Sequence, residues 1–207
     1  MLNGKIKILD SDVVIQRKIL DSLKSGLKLI FNRSRSKIES EVRNIIVEAL
    51  SNCPEINSLR NGKLRLDFGL DSDPTSEIIY AIANSTFVSF RDFKLQTSGT
   101  SVALNIYVQP TDFQNLLALP GSSVTTEAGA SLPWLQWLLT SGDAIIITGY
   151  SVEYKGSPTS RSGSAIMVPN GIFKVDSSFS GTADDNFISR AINKYQDRIK
   201  ESVEKNL

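Results

Sequence analysis

Two spacings of apolar residues constrain the fold of this chain: a helical repeat at both ends and a two-residue repeat in the middle. Over residues 12–52 apolar side chains recur every three or four positions, as one face of a helix requires. The loop-prone series at 32–36 predicts a break between two helices. Ser36 and Glu39 fit a capping box at the start of the second helix. Pro54 ends it, because proline lacks the amide donor that a helix needs.

The middle of the chain carries the patterns of strands and turns. Apolar residues alternate with polar ones over 64–70, which predicts an extended segment, and a hairpin is predicted over 87–110. The small, polar run 121–131 predicts a flexible surface loop, a position that often carries interactions. Asn170-Gly171 is a strong signal for a second hairpin.

The C-terminal segment predicts one amphipathic helix that begins near residue 183. Thr182 is the expected N-cap, since its hydroxyl can accept a free amide at the helix start. The apolar residues of this segment form one stripe, made of Phe187, Ile188, Ala191, Ile192, Tyr195, Ile199 and Val203.

These elements predict an α+β fold with N-terminal helices, a central and mostly antiparallel β-sheet, and a C-terminal amphipathic helix packed on that sheet. Residues 1–55 form the helical region and residues 56–207 the α+β domain, expected as one continuous structural unit. Trp134 and Trp137, in the densest apolar stretch, are expected to pack on the sheet rather than to form a ligand or partner site.

The residue types disfavour catalysis. The chain has no histidine and a single cysteine, Cys53, which excludes a disulfide framework and a thiolate metal cage within one chain. Without histidine the usual general base near neutral pH is missing. We therefore expect a non-enzymatic protein without catalytic residues, cofactor or metal. No apolar run approaches the roughly 20 residues of a membrane span, so a soluble protein made in a cytoplasm and without membrane contact is expected.

Charge is distributed unevenly along the chain. Residues 1–65 hold 13 Lys and Arg against 7 Asp and Glu, whereas residues 66–160 hold 3 against 9. Such a split has two interpretations: complementary patches that attract neighbouring subunits of an oligomer, or charges that solvate separate faces. The N-terminal basic residues likewise either solvate a helix face or contact DNA phosphates. The DNA-facing candidates are Arg17, Lys24, Lys28, Arg33 and Arg35.

One C-terminal block carries a recognisable pattern. It consists of Ser-Arg-Ser-Gly-Ser-Ala-Ile-Met-Val at 160–168, Asn-Gly-Ile-Phe-Lys-Val at 170–175, and Phe-Ser-Gly-Thr-Ala-Asp-Asp-Asn-Phe-Ile-Ser-Arg-Ala-Ile at 179–192. This block resembles one found near the C-terminus of structural proteins of tailed bacteriophage virions. The layout of the whole chain is similar to the tail-terminator and tail-completion group, small α+β proteins that form hexameric rings between tail tube and neck.

The resemblance implies a virion subunit, made in the host bacterial cytoplasm, that assembles with itself into a ring, with a hexamer favoured. Its implied neighbours are tail tube, neck or sheath proteins, and passing contact with DNA is compatible with this location. A different neck, connector or baseplate component is the first alternative, and a DNA-binding protein using the basic N-terminal helices is the second. Loops at sheet ends are the expected contact elements, and the interface candidates are Arg161, Ser162, Gly163, Gly121, Glu127 and Gly129.

Overall fold

The computed structural model describes residues 10–96, 99–126 and 129–207. Within these residues the α-helices are α1 (Asp12–Ser51), α2 (Pro54–Asn61), α3 (Lys63–Asp67), α4 (Thr75–Ser85), α5 (Gln114–Leu117), α6 (Trp134–Thr140), α7 (Phe187–Lys194) and α8 (Gln196–Asn206). The strands are β1 (Phe87–Gln96), β2 (Gly99–Tyr107), β3 (Val124–Thr125), β4 (Ser131–Leu132), β5 (Ile147–Glu153) and β6 (Ile166–Phe173). The α+β class is confirmed. The described strands, however, form three separate antiparallel pairs, β1–β2, β3–β4 and β5–β6, instead of the single central sheet that we expected.

The N-terminal region is one long helix, so the predicted break at 32–36 is wrong. Asn, Ser and Arg each cost at most about 0.7 kcal/mol relative to Ala inside a helix. Phe31 and Ile38, on either side of the series, are both buried in the core. Their burial holds the segment helical against a modest local preference for a turn.

The capping box predicted from Ser36 and Glu39 is also wrong, because both residues lie inside α1. Glu39 has a different role. Its carboxylate accepts the backbone amide of Val88 at 3.0 Å and the Nε–H of Arg35 at 3.0 Å. The side chain therefore fastens the middle of α1 to the start of β1.

The alternating residues at 64–70 form a short helix and its exit turn, not the predicted extended segment. Gly69 adopts a left-handed conformation with φ of 62°. The Leu70 amide reaches back to the Arg65 carbonyl at 3.0 Å, and the Gly69 amide to the Leu66 carbonyl at 3.2 Å. These two bonds make a Schellman motif, which ends a helix and satisfies its last carbonyls.

The hairpin predicted over 87–110 is confirmed as the pair β1–β2, but the one predicted at Asn170-Gly171 is wrong. Both residues lie within β6, opposite the single residue Gly149 of β5. Two residues facing one is a β-bulge. Asn170 and Gly171 adopt positive φ angles of 76° and 102°, so the dipeptide supplies left-handed backbone to a bulge instead of a chain reversal.

The C-terminal stripe is confirmed, although a break at Tyr195 divides the segment into α7 and α8. All seven predicted stripe residues are buried or pack against the core. The predicted cap is wrong: Asn186, not Thr182, is the N-cap of α7. The Asn186 side chain accepts the amides of Ile188 and Ser189, and the Ser189 hydroxyl closes a capping box.

The C-terminal helices pack mainly against α1, which corrects the expectation that they lie on a sheet. Polar contacts reinforce this packing. Arg198 donates two hydrogen bonds to the Glu48 carboxylate, at 2.6 and 2.9 Å. Ser202 and Asn206 both donate to Glu41, at 2.8 and 2.7 Å. Side chains from the helical region 1–55 and from the remainder of the chain thus share one hydrophobic cluster.

Candidate functional site

The first part of α1 has no buried side chain. No side chain is buried between residues 12 and 30, a stretch that we call the outer helix segment, and Phe31 is the first buried residue of α1. Ile19 is 60% exposed, Leu23 46% and Ile30 43%. Together with Asp12, these residues are spaced at i, i+7, i+11 and i+18, which places them on one side of a helix with 3.6 residues per turn.

A second face of the same helix collects most of the DNA-facing candidates. Arg17, Lys24, Lys28 and Arg35 share the spacing i, i+7, i+11 and i+18 and begin five residues after Asp12. Five residues rotate a helix by about 140°, so the basic face lies nearly opposite the apolar one. Arg33 falls outside that face, and the guanidinium of Arg35 pairs with Glu39.

The turn at Arg161 is held in a fixed shape by its flanking residues. The Ser160 hydroxyl donates to the Ala165 carbonyl at 2.6 Å and accepts the Ala165 amide at 3.3 Å. The Gly163 amide donates to the Ser160 carbonyl at 3.2 Å, and Gly163 has a φ of 77°. Ser162 lies half-buried in the same turn, 3.4 Å from the Ser160 hydroxyl. The exposed Arg161 has no hydrogen-bond or ion-pair partner among the residues described.

Arg161 stands between two clefts, which together we call the Arg161 groove. One cleft has a volume of about 270 Å³ and the other about 300 Å³, and Arg161 lines both. The first has apolar walls that include Leu66, Phe68 and Met167. The second is bounded by Asp71 and Gly121, among others. The structure therefore brings together the two interface candidates Arg161 and Gly121, from segments forty residues apart in the chain.

The run 121–131, predicted to be a flexible loop, begins in a 3₁₀ turn and continues into the small β3–β4 pair. Gly121 has a packing role: its carbonyl accepts the Trp134 indole N–H at 2.9 Å, and a Cβ there would lie 3.0 Å from Pro74. Gly129 is exposed near the β3–β4 turn with a φ of 82°. Glu127 lies outside the described residues.

A polar cluster that the sequence did not reveal forms part of the wall of the groove. The Lys63 ammonium lies 3.1 Å from Asp67 and 3.0 Å from Asp176. The Tyr154 hydroxyl donates to Asp67, whose side chain is only 4% exposed. The only local signal was the i, i+4 spacing of Lys63 and Asp67, which is informative only once the segment is known to be helical.

The pKa shifts in this cluster follow from its hydrogen bonds. Partial burial acts to lower the pKa of Lys63, but its bonds to Asp176 and Asp67 raise that pKa overall. Hydrogen bonds from the Ser178 hydroxyl and amide, and then from Lys63, hold the pKa of Asp176 below its ordinary value. Burial and the bond to Asp67 raise the pKa of Tyr154. Each of these groups is hydrogen-bonded or ion-paired to another member of the cluster. This arrangement is typical of a structural network, and it links α3, the end of β5 and the segment after β6.

Comparisons with known proteins find no matching family model, no matching curated protein and no matching solved structure. Within the described ranges, no helix combines the length and apolar character needed to cross a membrane. The same residues contain no group of three or more histidine, cysteine, aspartate or glutamate side chains placed to hold a metal ion.

Proposed function

We propose that this chain is a non-catalytic structural subunit of a tailed-bacteriophage virion, made in the bacterial cytoplasm, that assembles into a ring at the head–tail junction. The tail terminator, which joins tail tube to neck, is the favoured position, with a hexamer as the favoured ring. The resemblance of residues 160–192 to virion proteins supports this assignment. The observation that carries self-assembly is the exposed apolar face of the outer helix segment.

That face gives association a driving force. Full burial of an isoleucine or leucine side chain is worth about 1.5–3 kcal/mol. Ile19, Leu23 and Ile30 are about half exposed, so covering all three contributes on the order of 2–4 kcal/mol. The basic segment 1–65 and the acidic segment 66–160 add charge complementarity between copies. A contact between two different surfaces can repeat from copy to copy. It closes into a ring when the rotation that relates neighbouring copies divides a full turn into a whole number of steps.

The test of assembly is sedimentation and electron microscopy of the purified protein with one disruptive variant. Ile19→Glu places a carboxylate in the apolar face and is expected to abolish rings, because an unpaired charge is costly to bury. Val14→Glu is the matched control, since Val14 is exposed on the opposite side of α1. A natural chain that stays monomeric at high concentration, with and without tail tube, would refute the ring.

The alignment of basic residues favours one second function, the binding of duplex DNA by α1. Arg17, Lys24 and Lys28 lie on one face over about 17 Å of helix axis, at 1.5 Å per residue. Strong binding of a short DNA duplex that weakens steeply with salt, by a protein that forms no rings, would favour this function over the structural one. A ring-forming protein with weak DNA affinity is the outcome expected from the main proposal.

A further inference from the structure

We infer that the Arg161 groove of one copy receives the outer helix segment of the next copy, with Asp12 of that segment paired to Arg161. This contact rests on the proposed ring function and specifies how neighbouring copies meet. It joins two surfaces that are each incomplete in a single chain: an exposed apolar face ending in a carboxylate, and an apolar-walled groove beside an unpaired cation.

The donor surface is the outer helix segment, on which a carboxylate precedes the apolar face along the chain. Asp12 lies in the first turn of α1, on the same side as Ile19, Leu23 and Ile30. Its carboxylate has no ion-pair partner among the residues that the structure describes. Seven residues separate Asp12 from Ile19, a distance of about 10 Å along the helix axis. The segment therefore presents a negative charge and, two turns later, the start of an apolar face.

The acceptor surface presents the complementary chemistry. The turn that carries Arg161 is fixed by the Ser160 bonds to Ala165, so its backbone has little freedom left to lose when the side chain is bound. Beside it, the first cleft exposes apolar wall, including Met167 at 41% exposure. A guanidinium next to an apolar cleft suits a carboxylate that is followed by apolar side chains.

Ring symmetry requires such a pairing of unlike surfaces. If the apolar face packed against the same face of a second copy, the contact would be isologous and would close as a two-fold dimer. Rings with more than two copies in a cycle need a donor and a different acceptor on every subunit. The outer helix segment and the Arg161 groove are on different parts of the chain and satisfy this requirement.

The charges around the groove favour a protein carboxylate over a nucleic acid. Asp67 and Asp71 both line the groove. A phosphodiester backbone would bring several negative charges against these carboxylates, whereas a helix turn brings one, aimed at Arg161.

A charge swap tests the pairing. Asp12→Arg and Arg161→Asp each place like charges in contact, and each is expected to raise the concentration for half-assembly by about tenfold or more. The double variant exchanges the two charges between the copies and so restores an attractive pair. Its concentration for half-assembly is expected to lie within about threefold of that of the natural chain. Asp184→Arg, at an exposed carboxylate before α7, is the control and should assemble normally.

Sedimentation velocity measures assembly, and circular dichroism checks that each variant retains its helical content. Asp12→Arg also opposes the helix dipole, but Arg161→Asp cannot repair that effect, so recovery in the double variant reports the contact itself. Single variants that assemble normally would overturn the inference, and so would a double variant that stays impaired. Loss of binding to a short DNA duplex in Arg161→Asp, with assembly intact, would overturn it in favour of a nucleic-acid site. Absence of rings in the natural chain would instead refute the proposed function.

Discussion

Truncation of Trp134 should be the most destabilising change among the tryptophans, because this side chain is fully buried and makes two specific contacts. Its indole N–H donates to the Gly121 carbonyl at 2.9 Å. Its ring centroid lies 5.4 Å from that of Phe68. Through these contacts α6 is fastened both to the exit of α3 and to the segment that forms one side of the Arg161 groove. Trp134 is therefore a core residue, as expected, but the contacts described above lie at the exit of α3 and at the Gly121 segment instead of on a central sheet.

The cost follows from the volume and the hydrogen bond that are lost. Replacing a buried tryptophan by alanine costs about 3–5 kcal/mol. Trp134→Phe retains most of the apolar volume but leaves the Gly121 carbonyl without its donor, a loss of about 1–3 kcal/mol. Trp137 is only partly buried, with its ring centroid 6.2 Å from Phe173, so Trp137→Ala should cost less than Trp134→Ala.

Urea unfolding followed by far-ultraviolet circular dichroism measures these free energies without relying on tryptophan fluorescence. The protein concentration should be kept low, because any association of copies adds to apparent stability. Domains of this kind are stable by about 5–15 kcal/mol, and Trp134→Phe stays measurable even if Trp134→Ala does not fold. A loss below about 1 kcal/mol in Trp134→Ala would refute the packing assignment, as would an equal or larger loss in Trp137→Ala.

Two further predictions concern the polar network and the helix cap. Hydrogen bonds from the Ser178 hydroxyl and amide, and then from Lys63, lower the pKa of Asp176. The stability that the ionised Asp176 gives to the fold is therefore fully present above the unfolded pKa near 3.8. It is lost as the pH falls through the folded pKa. Asp176→Asn should therefore destabilise at pH 7, and this deficit should shrink progressively as the pH falls below about 4. Urea unfolding at pH 7 and at a series of acidic pH values measures the deficit, and one that does not change with pH would contradict the mechanism. Asn186→Ala should cost about 1–2 kcal/mol. Thr182→Ala should cost less, because it removes only the hydroxyl that accepts the Asp185 amide in an exposed turn. The reverse order in thermal unfolding would restore Thr182 as the cap.

Periodicity predicted the helices that bury one face, because such a face repeats with the turn of the helix. The stripe from Phe187 to Val203 is the clearest case. The cap of α7 was harder to predict, since Thr182 and Asn186 are both residue types that favour an N-cap. Asn186 takes this position because its side chain also donates to the Thr182 and Ala183 carbonyls. Those partners lie only three and four residues away, but the residue types alone do not show which of the two side chains forms these bonds.

Long-range pairing explains the other errors. Asn170-Gly171 has the left-handed backbone that a hairpin turn needs, but pairing of β6 along its whole length with β5 keeps the strand running through it. The polar cluster joins Lys63 and Asp67 of α3 to Asp176 and Tyr154, which lie about ninety or more positions further along the chain. Its members could not have been selected from the sequence, because each is an ordinary surface residue type until the fold brings them together.

The outer half of α1 depends on the buried half in a way that bears on the proposed assembly. Starting a helix is unfavourable, whereas extending one adds a hydrogen bond for each residue that is fixed. The buried half, from Phe31 to Leu50, supplies the nucleus, and the outer helix segment extends it without any buried side chain of its own. A partner that covers the apolar face consequently meets a helix that is already formed, and the ordering cost that opposes association is reduced. Exposure of Ile19 and Leu23 in a preformed helix is thus the property on which the proposed contact between subunits depends.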